Sequence, residues 1–224
     1  MSEIAFRSAK FEKPFNLSLK DAKNVGAAIG CDYFLLIKAE NQRRFSFEKK
    51  EYYESYAAVY AVSSRTGRLV FWKLTSSEAE TTEKAEKKLF EAAVDLSAEI
   101  SDKLKIVTKE ELKEKNAAKL EQLPAENSPE AKNFRPPLPY KQIKPPYTRL
   151  AYLYSVEATV DIEIEVDENG RILDTEIVRW AGFSLDEAVD KTIRQMNWKP
   201  ADRNGKTLPM RVLLRYNFRK IEEQ

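Results

Sequence analysis

The side chains of this 224-residue chain with chemical potential are carboxylates, arginines and one cysteine, because histidine is absent. Without imidazole there is no Ser-His-Asp triad, no Cys-His pair and almost no ordinary zinc site. The densest acidic pattern is Asp161, Glu163 and Glu165, followed by Asp174 and Glu176. As residue types these would suit a hard cation or acid–base work. Such work needs a cleft, whereas alternation with Val160, Ile162, Ile164 and Val166 puts the row on the flat outer face of a strand. A solvated face with cross-strand ion pairs is expected there. No catalytic, cofactor-binding or metal-ligating residue is therefore assigned, no cofactor is expected, and the chain is expected not to be an enzyme. Cys31 follows Ala28-Ile29-Gly30, superficially a lipoprotein processing box. Lys20, Asp21, Lys23 and Asn24 break the apolar run such a box requires, so Cys31 is expected as a small apolar residue entering a strand. Phe45, Phe47, Tyr52, Tyr53, Tyr56 and Tyr60 beside Arg43 and Arg44 have a composition that can stack on single-stranded nucleic acid. Glu48, Glu51 and Glu54 sit among them and the net charge is only +2, so nucleic acid is not an expected partner.

The elements that must position these residues fall into two groups. Seven of the ten prolines lie at 124, 129, 136, 137, 139, 145 and 146, and residues 123–146 are expected as a proline-rich linker of polyproline character. Before it, residues 1–122 read as an α/β unit of sheet plus helices. Glu3–Phe11 alternates as a strand. Ser18 with Asp21 caps a helix carrying Leu19, Ala22, Val25 and Ile29 to Gly30. Tyr33-Phe34-Leu35-Leu36-Ile37 is apolar enough for a central strand. Strands over Tyr53–Val62 and Arg68–Leu74 join at Arg65-Thr66-Gly67. A helix from Ser77 to Lys105 carries Ala85, Leu89, Ala93, Leu96, Ile100 and Leu104 on one face. Thr108 and Glu111 read as the capping box of a second helix. No stretch approaches the roughly 20 apolar residues of a membrane span. A native anchor or signal is expected upstream of Met1.

After the linker, residues 147–224 read as a hairpin, a crossover helix and a third strand. Asn169-Gly170 is a hairpin signal. A two-residue loop there sets Val166 against Leu173, Ile162 against Ile177, Glu163 against Glu176 and Glu165 against Asp174. Ser184, with Glu187 as capping-box partner, starts a helix whose apolar stripe is Leu185, Ala188, Val189, Thr192, Ile193 and Met196. Met210, Val212, Leu214, Tyr216 and Phe218 alternate with Arg211, Leu213, Arg215, Asn217 and Arg219. If this last strand pairs antiparallel with the first, its arginines neutralise the acidic row, Arg211 and Arg215 answering Glu163 and Glu165. The expected sheet order is second, first, third, with the helix on the apolar face. Trp180 and Trp198 are expected to cover the edge of the core.

These pieces carry a family resemblance. Tyr147, Val156-Glu157-Ala158-Thr159-Val160, Val166-Asp167-Glu168-Asn169-Gly170, Ala181-Gly182, Leu185-Asp186-Glu187-Ala188, Trp198-Lys199-Pro200-Ala201, Asn204-Gly205-Lys206 and the strand ending at Phe218 resemble, in order, the C-terminal domain of TonB. Departures are Thr148 where proline is usual, Ala158 where glycine is common, and Trp180 where small residues are common. Gly26 to Tyr33, the Thr66-Gly67 turn and the long helix also resemble the amino-terminal domain of TolB and CsgG-type envelope proteins. The resemblance implies a periplasmic or cell-envelope protein of a Gram-negative-type bacterium. It also implies a partner, an outer-membrane receptor or another envelope protein, that adds a strand to the edge Met210, Arg211, Val212, Leu213, Leu214, Arg215, Tyr216, Asn217 and Phe218. Two roles follow from it. One is binding within a TonB-type energy-transducing transport system. The other is a periplasmic structural or assembly adapter that self-associates through this domain.

Overall fold

A computed structural model describes residues 15–48, 51–113 and 134–220. The strand expected over Glu3–Phe11 lies outside them. The chain divides into two compact units, Met1–Phe15 with Leu19–Asn116, and Asn16–Ser18 with Ala117–Gln224. The fold is α+β, with antiparallel sheets in both units.

The N-terminal unit contains α1 (Leu19–Ile29), β1 (Tyr33–Arg44), β2 (Tyr52–Ser63), β3 (Leu69–Ala79) and α2 (Thr82–Lys113). The strands are antiparallel in the order β1-β2-β3. The central strand is β2, whose Tyr56, Ala58, Val59, Tyr60, Ala61 and Val62 are buried. Among the described residues the expected central strand around Leu35 is instead an edge, and only its Phe34 and Leu36 side is covered. Val59 and Ala61 pack against Leu96 and Ile100 of α2, with Val70, Phe71 and Leu104 beside them. In α1, Ala22 and Val25 are buried while Ile29, at the helix end, is exposed.

One helix of 32 residues replaces the two expected. The Thr108 hydroxyl donates to the Leu104 carbonyl one turn back, at 2.8 Å, instead of capping a new start. Glu111 accepts from Arg65 Nη2 at 2.5 Å and from the Thr66 hydroxyl at 2.9 Å, which joins the helix end to the β2–β3 turn.

The C-terminal unit contains β4 (Phe134–Arg135), β5 (Leu138–Pro139), α3 (Arg149–Leu153), β6 (Ala158–Val166), β7 (Ile172–Arg179), α4 (Leu185–Arg194), β8 (Trp198–Lys199), β9 (Ala201–Arg203), β10 (Lys206–Leu208) and β11 (Met210–Phe218). Its main sheet is antiparallel in the order β11-β6-β7, the expected second-first-third arrangement. Val160, Ile162, Ile164 and Val166 are fully buried, as are Leu185, Val189 and Ile193 of α4. Trp180 and Trp198 are part of this core and do not merely cover its rim. Full burial of an aliphatic side chain contributes about 1.5–3 kcal/mol, so this alternation is the main source of the unit's stability.

Residues 134–140 belong to this unit and not to a spacer. Phe134–Arg135 pairs with β9, Leu138–Pro139 pairs with β8, and Tyr140 N donates to the Asn197 carbonyl at 2.9 Å. Proline is tolerated because these are two-residue edge pairings.

The β6–β7 hairpin differs from expectation at its tip. Asp167 N donates to Arg171 O at 2.8 Å, and Gly170 N to Asp167 O at 3.1 Å. The loop therefore holds three residues, with positive φ at Gly170 and not at Asn169. The Asp167 carboxylate accepts from the amides of Asn169 and Arg171, which favours this loop over a two-residue turn. Ile162↔Ile177, Glu163↔Glu176 and Glu165↔Asp174 pair as expected, while Val166 faces Ile172 in place of Leu173 after an irregularity.

Candidate functional site

The acidic row becomes a charge ladder once β11 lies beside β6. Arg211 faces Glu165 and Arg215 faces Asp161 in the register. Arg211 binds Glu165 through Nε at 3.1 Å and also through Nη2, and it lies 3.5 Å from Glu163. Arg215 binds Asp161 in bidentate fashion, at 2.7 and 2.9 Å. Its partner is therefore Asp161, two residues from Glu163 and four from Glu165, the glutamates expected to answer the arginines. The carboxylates are spent on guanidinium groups along a flat sheet face, and among the described residues no group of acidic or sulfur ligands is arranged to hold a metal ion.

Asp161 is the hub of the sheet. It is 4 % exposed and receives Arg215 from β11 and Arg179 Nε from β7, the latter at 3.1 Å. Burial works to raise its pKa, yet the two arginines outweigh it and hold the carboxyl below the usual aspartate range. A buried carboxylate with two guanidinium partners fixes the lateral order of all three strands.

The two edges of this sheet differ. At β7, Ser18 forms an antiparallel bridge with Arg179, and Arg179 Nη1 donates to the Asn16 carbonyl at 2.9 Å. The buried Asn16 side chain copies a peptide group. Its amide donates to the carbonyls of Thr159 and Trp180, both at 2.7 Å, and its oxygen accepts from Thr159 N at 2.8 Å. A segment from far upstream thus occupies the Arg179 end of β7. Strand β11 has β6 as its only paired strand among the described residues. Its outward polar face carries exposed Leu213, and Leu214 and Tyr216 on the other face are only partly covered. These nine residues, Met210, Arg211, Val212, Leu213, Leu214, Arg215, Tyr216, Asn217 and Phe218, are brought together as one straight edge.

The supporting frame at the Phe218 end was only partly anticipated. The Tyr147 ring stacks on Phe218 at 6.5 Å, and its hydroxyl lies within bonding distance of the carbonyls of Val156 and Ala151. Thr148 is the N-cap of α3, accepting from Ala151 N, while its hydroxyl donates to the Phe183 carbonyl at 2.7 Å. A proline there would have neither bond. Gly182, Phe183 and Ser184 all have positive φ, so the chain enters α4 through a left-handed turn and Ser184 makes no side-chain cap. Asp186 reaches back to the turn before the helix, accepting from the amides of Ala181 at 2.9 Å and Gly182 at 2.8 Å. The residue keeps some exposed surface, but its carboxylate is enclosed. Burial pushes its pKa up to about 7, against the pull of the two amides.

Residues 143–219 match the family model described as Gram-negative bacterial TonB protein C-terminal. The match lies within the C-terminal unit, which is thus similar to TonB C-terminal domains. A solution NMR structure of the Pseudomonas aeruginosa TonB C-terminal domain is similar at 20% identity and a TM-score of 0.34, covering 48% of this chain and 99% of that one. A search of curated proteins finds no match. Among the described residues no helix is long and apolar enough to cross a membrane.

Proposed function

We propose that this protein is a non-catalytic cell-envelope protein whose C-terminal domain captures an extended segment of a protein partner by strand addition along Met210–Phe218. The observation that carries the reading is the asymmetry of the sheet. The Arg179 end of β7 is taken by Asn16–Ser18, whereas β11 is paired on one side alone among the described residues. An added strand would gain main-chain hydrogen bonds for affinity and would cover Leu214 and Tyr216 for selectivity. Because Arg211 and Arg215 already bind carboxylates of β6, they hold the edge in register and are not themselves the main attraction for a partner. The family supports a periplasmic setting and an outer-membrane receptor as partner, within TonB-type transport. Titrating the full chain with peptides from the periplasmic segments of outer-membrane receptors, followed by amide hydrogen exchange, tests this. Protection is expected to rise along Met210–Phe218. Protection confined to β7 or to the N-terminal unit would overturn it.

A further inference from the structure

The N-terminal unit has an interaction surface of its own. β1 is an edge strand of 12 residues without proline, paired only with β2 among the described residues. Its Leu35 and Ile37 are 48% and 57% exposed. Hydrogen bonds show which flank of α2 runs beside them. Asn41 Nδ2 donates to Glu86 at 2.6 Å and Tyr33 meets Thr108 at 2.8 Å. Phe90 lies one turn beyond Glu86 and Val94 one turn further, and they are 76% and 71% exposed. Four bare apolar side chains therefore flank a long unpaired edge, a combination that soluble proteins normally suppress.

The geometry points to a second copy of this chain as the occupant, with β1 pairing antiparallel to β1 about a twofold axis at Ala39. That register overlaps the strand over 34–44. It sets Lys38 of each copy opposite Glu40 of the other, so that the Lys38–Glu40 ion pair already present within each strand, at 3.2 Å, joins its copy in a four-charge cluster of alternating sign across the axis. Ala39, exposed on the same face as Leu35 and Ile37, meets its own copy at the axis. The sheet becomes six-stranded, and each α2 turns Phe90 and Val94 toward the trough that holds both copies of Leu35 and Ile37. A dimer of this kind carries two C-terminal domains, so a bivalent partner would be held with avidity. The inference does not depend on the partner proposed for β11.

Sedimentation of the full chain at micromolar concentration tests it. A dimer is expected, and Ile37→Glu, at a side chain already in water, should return it to monomer with unchanged circular dichroism. Lys38→Glu should weaken the dimer about tenfold by placing like charges opposite each other twice, and Lys38→Glu with Glu40→Lys should restore it. In a Cys31→Ser background, Ala39→Cys should give a disulfide-linked dimer on mild oxidation, since facing Cα atoms in a strand pair lie within disulfide range. A monomer at all concentrations, or a dimer that Ala39→Cys does not cross-link, overturns the proposal. So does a dimer that forms only after residues 1–14 are deleted, which would make the chain's own amino-terminal segment the occupant.

Discussion

Two carboxylates of the C-terminal unit, Asp161 and Asp186, each give a measurable expectation. Asp161→Asn removes a buried charge from between Arg179 and Arg215 and leaves both guanidinium groups without their anion. Because the side chains of Arg215 and Arg179 are 58% and 25% exposed, water takes up the freed guanidinium groups, and the loss of the charge-assisted hydrogen bonds costs about 1–3 kcal/mol, which thermal or urea unfolding of the full chain will read. The folded pKa of Asp161 is depressed, so its contribution is complete above the unfolded value, near 3.9, and is lost as pH falls through the folded one. The variant should therefore lose the acid-induced loss of stability below about pH 4 that this group causes. Asp186 has the opposite sign. Its folded pKa is raised to about 7, so the stability it contributes is complete below the unfolded value and declines as pH rises toward and through 7. Asp186→Asn keeps an acceptor for only one of the Ala181 and Gly182 amides, which bond to different oxygens, so the domain should melt lower overall, but its melting temperature should stop falling between about pH 4 and 7.

At the scale of elements, the hairpin tip carries a sharp constraint. A Cβ on Gly170 would stand 2.1 Å from the Trp198 carbonyl, at a φ of +80° that a side chain resists. Gly170→Ala should destabilise the domain by more than the roughly 1–3 kcal/mol of backbone strain alone, and should lower the melting temperature measurably. Most elements of this domain were legible in the sequence because their signals are local. The alternation of Val160 to Val166 and of Met210 to Phe218 sets faces, and opposite charge on two strands was enough to choose the sheet order. What was not legible is set by contacts between distant residues or by competing local bonds. The Asp167 carboxylate turns a two-residue loop into three residues. Tyr33 holds Thr108 within one continuous helix, and its neighbour Leu104 takes the hydroxyl proton that a cap would have used. The apolar run at Leu35 suggested a buried strand, but helix α2 covers β2 and β3 and leaves that flank bare. No spacing in the chain announces that Asn16 bonds a strand 143 residues away.

That long-range contact sets a property of the whole molecule. The boundary between the two units is not a single point in the chain, because Asn16–Ser18 belongs with the C-terminal unit although both flanking segments belong with the other. The family match begins at residue 143, so a fragment cut to the family limits would lack the peptide-like side chain of Asn16 and the bridge at Ser18. It would also lack the pairings of Phe134–Arg135 and Leu138–Pro139. The amide and carbonyl of Thr159 and the carbonyl of Trp180 would then lose their partners at the Arg179 end of β7. A buried polar group left unsatisfied costs about 1–3 kcal/mol. Asn16→Ala in the full chain is expected to show that cost in the unfolding of the C-terminal unit, while leaving the N-terminal unit's transition in place. A fragment of residues 143–220 should be less stable than that variant, since it loses the β4 and β5 pairings as well. Its β7 should also become a second open edge, so strand-adding peptides that select β11 in the full chain should protect both edges in the fragment. Equal stability of fragment and full chain, with exchange protection still confined to Met210–Phe218, would mean that the upstream segment neither closes β7 nor directs partners to β11.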